Sequence, residues 1–156
     1  MSNQTDAETM LITYEFDAPR ELVFQCFIDP KHLVHWCHAG DGWVTPYAET
    51  DPRVGGRLKI GYQSGDGSEG FDLEATYTEV TPPSRLAYLI DEMSFPDETG
   101  KLVTLPARPI TIDFTDLGGR TRIDQVLTLE PLNPAELQRQ GWTEHLVNLE
   151  AYLKTL

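Results

Sequence analysis

The sequence predicts an α+β domain in which helices cover one face of a curved antiparallel sheet. Three observations lead to this prediction: a strand-like run leads into two helical segments, six runs with a period of two follow, and a long helical pattern ends the chain. Because the chain has 156 residues, one domain with a single hydrophobic core is expected.

The first strand and the two helices after it follow from alternation and from two prolines. Residues 10–17 alternate apolar and polar side chains, which predicts a strand. Pro19 suits the first turn of a helix, and residues 19–29 carry an apolar stripe that can face a core: Leu22, Val23, Cys26 and Phe27. Pro30 breaks this helix and starts a second, short helix over residues 30–36.

The middle of the chain has the period of a sheet. Apolar and polar residues alternate in six runs, at residues 44–50, 56–63, 71–80, 85–92, 109–116 and 120–130. Turn signals separate the runs, including Asp51-Pro52, Gly65-Asp66-Gly67, Pro82-Pro83 and Gly118-Gly119. This spacing favours antiparallel meander connections.

The last segment predicts a long helix that lies across the sheet. Asn133 is a suitable N-cap, and Pro134 is compatible with a helix start. Gly141 is the one residue in the segment that disfavours a helix. An apolar stripe with helical spacing follows: Trp142, Leu146, Leu149 and Leu153.

The composition excludes some classes of partner. Twelve Lys and Arg against 25 Asp and Glu give a net charge of −13, which repels nucleic acid and anionic lipid headgroups. No apolar run reaches the roughly 20 residues of a membrane-spanning helix, so no membrane association is expected. Residues 1–8 are polar and acidic and do not resemble a secretory signal, so we predict a disordered N-terminus, one domain over residues 9–156 and a cytoplasmic location. In that compartment the two cysteines are expected to be free thiols.

Five stretches of the chain, in this order, resemble the START-like or SRPBCC superfamily, and specifically the branch named after the C-terminal domain of the heat-shock-protein-90 ATPase activator. They are FDAPRELVFQCFIDPKHLVHW, DPRVGGRLKI, EATYTEVTPPSRLAYLI, GGRTRIDQVLTL and QGWTEHLVNLEAYL. The resemblance implies a helix-grip fold, in which a sheet wraps around the long C-terminal helix and leaves a cavity that often takes an apolar or aromatic ligand. It does not imply one activity, because relatives resemble polyketide cyclases, lipid carriers, plant hormone receptors and chaperone-associated proteins.

The alternation of the strands predicts which side chains point at the helix. This inward set is Leu58, Ile60, Tyr62, Phe71, Leu73, Ala75, Tyr77, Leu86, Tyr88, Ile90, Ile110, Ile112, Phe114, Ile123, Leu127 and Leu129. We predict ligand contacts for Tyr62, Tyr77, Tyr88, Ile112 and Phe114. The alternative for the tyrosines is a structural role, because a buried hydroxyl needs a partner from protein, water or ligand.

Two polar side chains and two tryptophans complete the predicted ligand-binding set. Gln125 is in phase with the inward set, where an unpaired amide costs about 1 to 3 kcal/mol. A strand bulge, a bond to a tyrosine and a ligand contact are the alternatives for it. His145 follows Trp142 by three residues and is expected near the cavity rim, although a partly exposed helix histidine is the simpler alternative. In the family, an aromatic pair ends the short helix at the cavity mouth, and Trp36 matches its first member.

A histidine and cysteine cluster follows the same short helix. His32 and His35 share one helix face, Cys37 and His38 lie at or beyond its end, and Asp41 is close in sequence. The spacing permits a metal site but matches no zinc signature, so we predict neither metal nor cofactor. Cys37 and His38 are adjacent and should diverge, so no nucleophile with its base is expected, and no catalytic residue is assigned. His35, Cys37 and His38 are instead predicted to form a polar cavity rim.

Residues 91–108 are longer than the tight hairpin that the family pattern implies at this point. They are interpreted as a hairpin extension or a lid. Its apolar residues allow this segment to cover a pocket mouth or another subunit: Met93, Phe95, Leu102 and Leu105. The alternatives are therefore ligand gating and the binding of a partner, including a second copy of the chain in a homodimer.

The leading functional prediction is a protein that binds a small hydrophobic molecule, apolar or aromatic, in the helix-grip cavity. One alternative is a cavity enzyme of cyclase or hydrolase type, in which a histidine works with a tyrosine or an aspartate. The other is a chaperone-associated stress-response protein, as the family name suggests.

Overall fold

The computed structural model describes residues 8–38 and 42–156 of the chain. The predicted disordered N-terminus lies outside the described residues except for Glu8, whose carbonyl accepts a hydrogen bond from the Leu129 amide at 2.9 Å. The elements follow in the predicted order of strand, two helices, strands and long helix: β1 (Thr9–Phe16), α1 (Arg20–Ile28), α2 (Pro30–Trp36), β2 (Trp43–Val44), β3 (Ala48–Thr50), β4 (Arg57–Ser64), β5 (Gly70–Thr81), β6 (Arg85–Ile90), β7 (Met93–Pro96), β8 (Leu102–Leu105), β9 (Arg108–Asp116), β10 (Thr121–Thr128) and α3 (Ala135–Leu153).

The main sheet is antiparallel and has eight strands in the order β1-β10-β9-β6-β5-β4-β2, with β3 also paired to β4. β4, β5 and β6 are consecutive neighbours, as are β9 and β10, which confirms the predicted meander connections. The predicted strand over residues 44–50 is two short strands instead. Pro46 lies between them and has no amide hydrogen to donate to a ladder.

The hydrophobic core lies between the concave face of the sheet and the helices. Leu146 and Leu149 of α3 are buried in the same cluster as the inward side chains of the strands. α1 covers the sheet at Phe114, whose ring centroid lies 5.1 Å from Phe24 and 5.3 Å from Phe27. The predicted α+β architecture with a sheet around a long C-terminal helix is therefore confirmed.

The predicted inward phase of the strands is also observed. Burial alternates along β9 and β10, and the buried positions are the predicted ones with the addition of Thr121. Phe71 is the exception, because 47% of its surface is exposed. Its cross-strand partner is Tyr62, and the two rings stack with centroids 4.8 Å apart, so one face of Phe71 is covered while the rest of the ring is open to solvent.

α3 runs without interruption through Gly141, the residue that the sequence marks as unfavourable for a helix. Leu146 and Leu149 are its fully buried residues, whereas none of residues 135–141 is buried. The first two turns of α3 are therefore held less firmly than its second half. None of the helices in the described part of the chain is long and apolar enough to cross a membrane.

The long segment over residues 91–108 contains a hairpin, β7–β8, which forms a separate two-stranded sheet. Met93 pairs with Leu105 and Phe95 with Val103, so these four side chains share one face of the hairpin and are partly or fully buried. Leu102 lies on the opposite face and is 66% exposed. The structure thus shows a hairpin extension, while its roles as a lid and as a dimer contact remain predictions.

Candidate functional site

A cavity lies between the concave face of the sheet and α3. Its volume is about 30 Å³, which is enough to admit water. Its lining is mainly apolar and aromatic: Phe27, Trp36, Cys37, Ile60, Tyr62, Leu73, Tyr88, Gln125, Trp142, His145 and Leu146.

Local periodicity explains how the strands and α3 supply this lining. Ile60 of β4 is paired with Leu73 of β5, so both point to the concave face from neighbouring strands. Trp142, His145 and Leu146 are spaced at i, i+3 and i+4 on α3, which places all three on one helix face. The cavity therefore forms where this face of α3 crosses the strands.

The end of α2 closes one side of the cavity. The Trp36 indole N–H donates a hydrogen bond to the Cys26 carbonyl at 3.0 Å. The Trp36 ring packs edge-on against Phe27, with centroids 4.9 Å apart. Because both the N–H group and the ring of the indole are held by contacts, the Trp36 side chain is fixed in the wall of the cavity. Cys37, the next residue, also lines the cavity.

Three polar side chains of the lining form a continuous hydrogen-bond chain. The Tyr62 hydroxyl lies 3.5 Å from Cys37 Sγ and 3.2 Å from His145 Nε2. His145 Nδ1 lies 2.8 Å from the Gly141 carbonyl oxygen, which can only accept, so Nδ1 carries the proton. A neutral His145 then accepts at Nε2 from the Tyr62 hydroxyl, and the Cys37 thiol is left to donate to the Tyr62 oxygen.

Burial keeps the titratable groups of this chain uncharged. Burial raises the pKa of the Cys37 thiol to about 11, against a smaller lowering by the Tyr62 hydrogen bond. It also raises the pKa of Tyr62 and of Tyr88 well above the usual value and lowers the pKa of His145. At neutral pH the lining therefore presents a thiol, phenols and a neutral imidazole, and Cys37 is not a thiolate nucleophile.

Gln125 is the most deeply buried polar side chain of the lining. It is 3% exposed, and its Oε1 has no hydrogen-bond partner among the described residues. β10 pairs without a register shift with both of its neighbours, so the bulge considered from the sequence is absent at Gln125. No described tyrosine bonds to Oε1 either. Of the alternatives considered from the sequence, a contact inside the cavity is the one that remains.

Three residues predicted to contact a ligand lie outside the lining. Ile112 is fully buried between its cross-strand neighbours, and Phe114 lies one pleat further along β9, where the phenylalanines of α1 cover it. The Tyr77 ring packs edge-on against Tyr88 at 6.2 Å and is separated from the cavity by it. The Tyr77 hydroxyl is buried without a partner among the described residues. These positions share the inward phase, but α1 and Tyr88 occupy the space in front of them.

The histidines in and directly after α2 contact the second half of α3. His35 stacks on Tyr152 with centroids 5.1 Å apart, and His32 Nδ1 hydrogen-bonds to the Tyr152 hydroxyl at 2.6 Å. Asn148 donates a hydrogen bond to the His38 carbonyl at 2.9 Å. Cys37 thus belongs to the cavity wall, whereas the neighbouring histidines contact the second half of α3.

No three metal-binding side chains converge within residues 8–38 and 42–156. His32 and His35 both contact Tyr152 of α3, whereas His38 contacts Asn148. Asp41, which is close to the cluster in sequence, lies outside the described residues.

Apart from Cys37, which was predicted for the cavity rim, four lining residues were not among the ligand contacts predicted from the sequence: Phe27, Ile60, Leu73 and Leu146. Each was marked by its apolar pattern, either on a helix stripe or in the inward phase of a strand. That pattern does not separate side chains that line a space from side chains that fill the core.

Aromatic rings lead from the cavity to the surface. Phe71 stacks on Tyr62 of the lining, and Trp43 of β2 lies 6.1 Å from Phe71. Trp142 is partly buried on the α3 side and lies 5.9 Å from His145. Exposed and partly buried aromatic rings therefore lie next to Tyr62 and His145 of the lining.

Comparison with known proteins agrees with the fold. Residues 17–154 match the family described as Activator of Hsp90 ATPase homolog 1-like protein. The solution structure of an AHSA1-like protein from Aeromonas hydrophila is 27% identical, covers 94% of this chain and 93% of its own, and has a TM-score of 0.76. The crystal structure of a Chromobacterium violaceum protein is 27% identical over 92% and 94% of the two chains, with a TM-score of 0.77. A Mycobacterium smegmatis protein is 26% identical over 96% of each chain, with a TM-score of 0.70. No curated protein matches the chain.

Proposed function

Because the chain belongs to the family of Activator of Hsp90 ATPase homolog 1-like proteins, we propose that it binds a small apolar or aromatic molecule between its sheet and α3. The observation that carries the proposal is the lining of the cavity, which among the described residues is aromatic and apolar and contains no Asp, Glu, Lys or Arg. Ligand pockets in proteins are typically lined in this way, with a few placed polar groups.

The cavity must widen to accept such a molecule. Its volume of about 30 Å³ is well below the roughly 300 to 1,000 Å³ of typical ligand sites. The first two turns of α3 precede the lining residues of this helix and are attached by hydrogen bonds of Gln138 and Arg139 rather than by buried side chains. We expect them to move at the least cost, because none of residues 135–141 is buried and Gly141 lacks the helix-stabilising methyl group of alanine. Outward movement of these turns with Trp142 would open the cavity beside His145.

Native mass spectrometry of the protein purified from its own host tests the proposal. We expect a bound small molecule on the wild-type protein. Leu73→Trp should prevent its retention, since the larger ring would extend from β5 into the cavity. Leu89→Trp is the matched control, because Leu89 is on the neighbouring strand with its side chain on the outer face, 38% exposed. Equal retention by the two variants, or an empty wild-type protein, would contradict the proposal.

A cavity enzyme is a second candidate, and the chain from Cys37 through Tyr62 to His145 supports it. A neutral imidazole that accepts from a phenol is an arrangement that can move a proton to or from a bound molecule. Tyr62→Phe removes the hydroxyl that joins Cys37 to His145 and keeps the ring. If the protein is an enzyme, the wild-type protein should change the mass of the host-derived molecule with time, whereas the variant should bind it unchanged. Recovery of an unchanged molecule from both proteins would exclude this candidate.

The family description also supports a chaperone-associated stress-response role. Such a role predicts that the protein raises the ATPase rate of the heat-shock-protein-90 of its own host. An unchanged rate at saturating protein would argue against it. A cytoplasmic location and a homodimer are further parts of the proposal, to be checked by cell fractionation and by sedimentation.

A further inference from the structure

The side-chain oxygen of Gln125 is buried without a hydrogen-bond partner in the described part of the chain, and burying an unpaired acceptor costs free energy. From its position we infer that the ligand is an uncharged molecule that presents an O–H or N–H donor to Gln125 Oε1. This inference rests on the proposed function, because it names the chemistry of the molecule that the same cavity would take.

Gln125 is shielded from solvent, and the strands on both sides of it are already paired through their backbones. It lies in the interior of β10, which is hydrogen-bonded to β1 on one side and to β9 on the other. Its cross-strand partners are Ile12 and Ile112, which are 4% and 0% exposed and carry no polar side-chain atom. The side chain is therefore held towards the cavity with an acceptor that the surrounding core does not satisfy.

The donors that line the cavity do not reach this oxygen. The Trp36 N–H is bonded to the Cys26 carbonyl, and the Tyr62 hydroxyl donates to His145. The Cys37 thiol lies against Tyr62. The Tyr88 hydroxyl and the Trp142 indole N–H also line the cavity, but neither is hydrogen-bonded to this oxygen. Since no donor of the described lining is bonded to Gln125 Oε1, the donor that we infer belongs to a molecule inside the cavity.

The same lining excludes a charged ligand. Among the described lining residues there is no side chain of formal charge, and burial of the His145 imidazole lowers its pKa and favours the neutral form. An ion in this cavity would lose its hydration without gaining an opposite charge. Neutral phenols, alcohols and N–H heteroaromatic compounds combine an apolar body with the single donor that Gln125 requires.

Matched ligands of nearly equal shape test the inference. Phenol and toluene differ by a hydroxyl in place of a methyl group, and benzoate adds a negative charge. Their dissociation constants for the full chain can be obtained from ¹H–¹⁵N chemical-shift titrations. We expect phenol to bind about tenfold more tightly than toluene, as one added hydrogen bond to a buried acceptor predicts, and benzoate to bind more weakly than either.

Removing the acceptor should abolish this preference. In Gln125→Leu, phenol is expected to bind no more tightly than toluene, whereas the control Gln25→Leu, at an exposed position of α1, should retain the wild-type ratio. Gln125→Met provides a second variant of similar length if the leucine variant does not fold, as judged by its ¹H–¹⁵N spectrum.

The possible results separate the inference from the proposed function. Equal binding of phenol and toluene to the wild-type protein would overturn the inference, since a retained water would then satisfy Gln125, and it would leave cavity binding intact. Preferred binding of benzoate would also overturn it. No binding of either phenol or toluene would overturn the proposed function itself.

Discussion

Replacing Gln125 by leucine should stabilise the ligand-free protein. A buried acceptor without a partner costs about 1 to 3 kcal/mol, and leucine removes the acceptor while keeping a side chain of similar size at a position that is 3% exposed. Allowing for imperfect packing of the branched side chain, we expect the free energy of unfolding to rise by about 1 to 2 kcal/mol. For a chain of this size, that corresponds to an increase in Tm of about 2 to 8 °C.

Thr121→Val is the matched contrast on the same strand. Thr121 is fully buried, and its hydroxyl donates a hydrogen bond to the Ala18 carbonyl at 2.7 Å. Its replacement leaves that carbonyl unpaired, so the free energy of unfolding should fall by about 1 to 3 kcal/mol. Both variants replace one buried polar side chain of β10 by an apolar one. They differ in whether the replaced side-chain oxygen has a hydrogen-bond partner in the wild-type protein.

Urea denaturation followed by circular dichroism measures both changes, and the slope with urea shows whether the unfolded states are comparable. A loss of stability in Gln125→Leu similar to that in Thr121→Val would refute the reasoning. It would mean that Gln125 Oε1 is already hydrogen-bonded, by a water in the cavity, and that the deletion breaks a satisfied contact.

Three further predictions concern the core, the histidines and the thiols. Leu149→Ala should lower the free energy of unfolding by about 2 to 5 kcal/mol, whereas Leu89→Ala on the outer face should change it by less than about 1 kcal/mol; similar urea midpoints would contradict the assigned core. Burial lowers the pKa of His38 and His145, so the unfolded chain binds more protons than the folded chain in acid. The free energy of unfolding should therefore be constant above the pKa of an unfolded histidine, about 6.5, and fall as the pH drops below it. Urea midpoints at about pH 7.5 and 5.5 test this, and a His145→Gln variant should show a shallower decline. Burial raises the pKa of the two thiols to about 11 and about 12, so iodoacetamide should modify neither in the folded protein at neutral pH and both in urea, as intact mass would show.

Local patterns were sufficient to predict the architecture. The alternation in β9 and β10 and the stripe that includes Leu146 and Leu149 depend on the chemistry of residues that are close along the chain. A period of two and a period of 3.6 each specify one buried face, and turn residues between the runs specify where the direction reverses. The same patterns placed Gln125 on the concave face.

The same patterns could not distinguish cavity lining from core. Tyr62 and Tyr77 have the same inward phase, yet Tyr62 lines the cavity and Tyr77 lies behind Tyr88. Phe114 is covered by α1, although nothing along β9 marks it as different from its neighbours. The difference depends on where two helices cross the sheet, which is set by packing between elements that are distant in sequence.

What the sequence alone determined is the set of elements, their order, their buried faces and the deficit of positive charge. The contacts that give the cavity its chemistry arise from the three-dimensional packing. Cys37 and Tyr62 are on different elements, and His145 lies 83 residues after Tyr62, so their hydrogen-bond chain exists because the register of β4 and the crossing of α3 bring them together. The histidine and cysteine cluster is compact in sequence but does not converge on one point in the fold, because His32 and His35 contact Tyr152, His38 contacts Asn148, and Cys37 contacts Tyr62. Gln125 lacks a partner for the same reason, since a strand pattern directs a side chain to a face but does not supply the atom that it meets there.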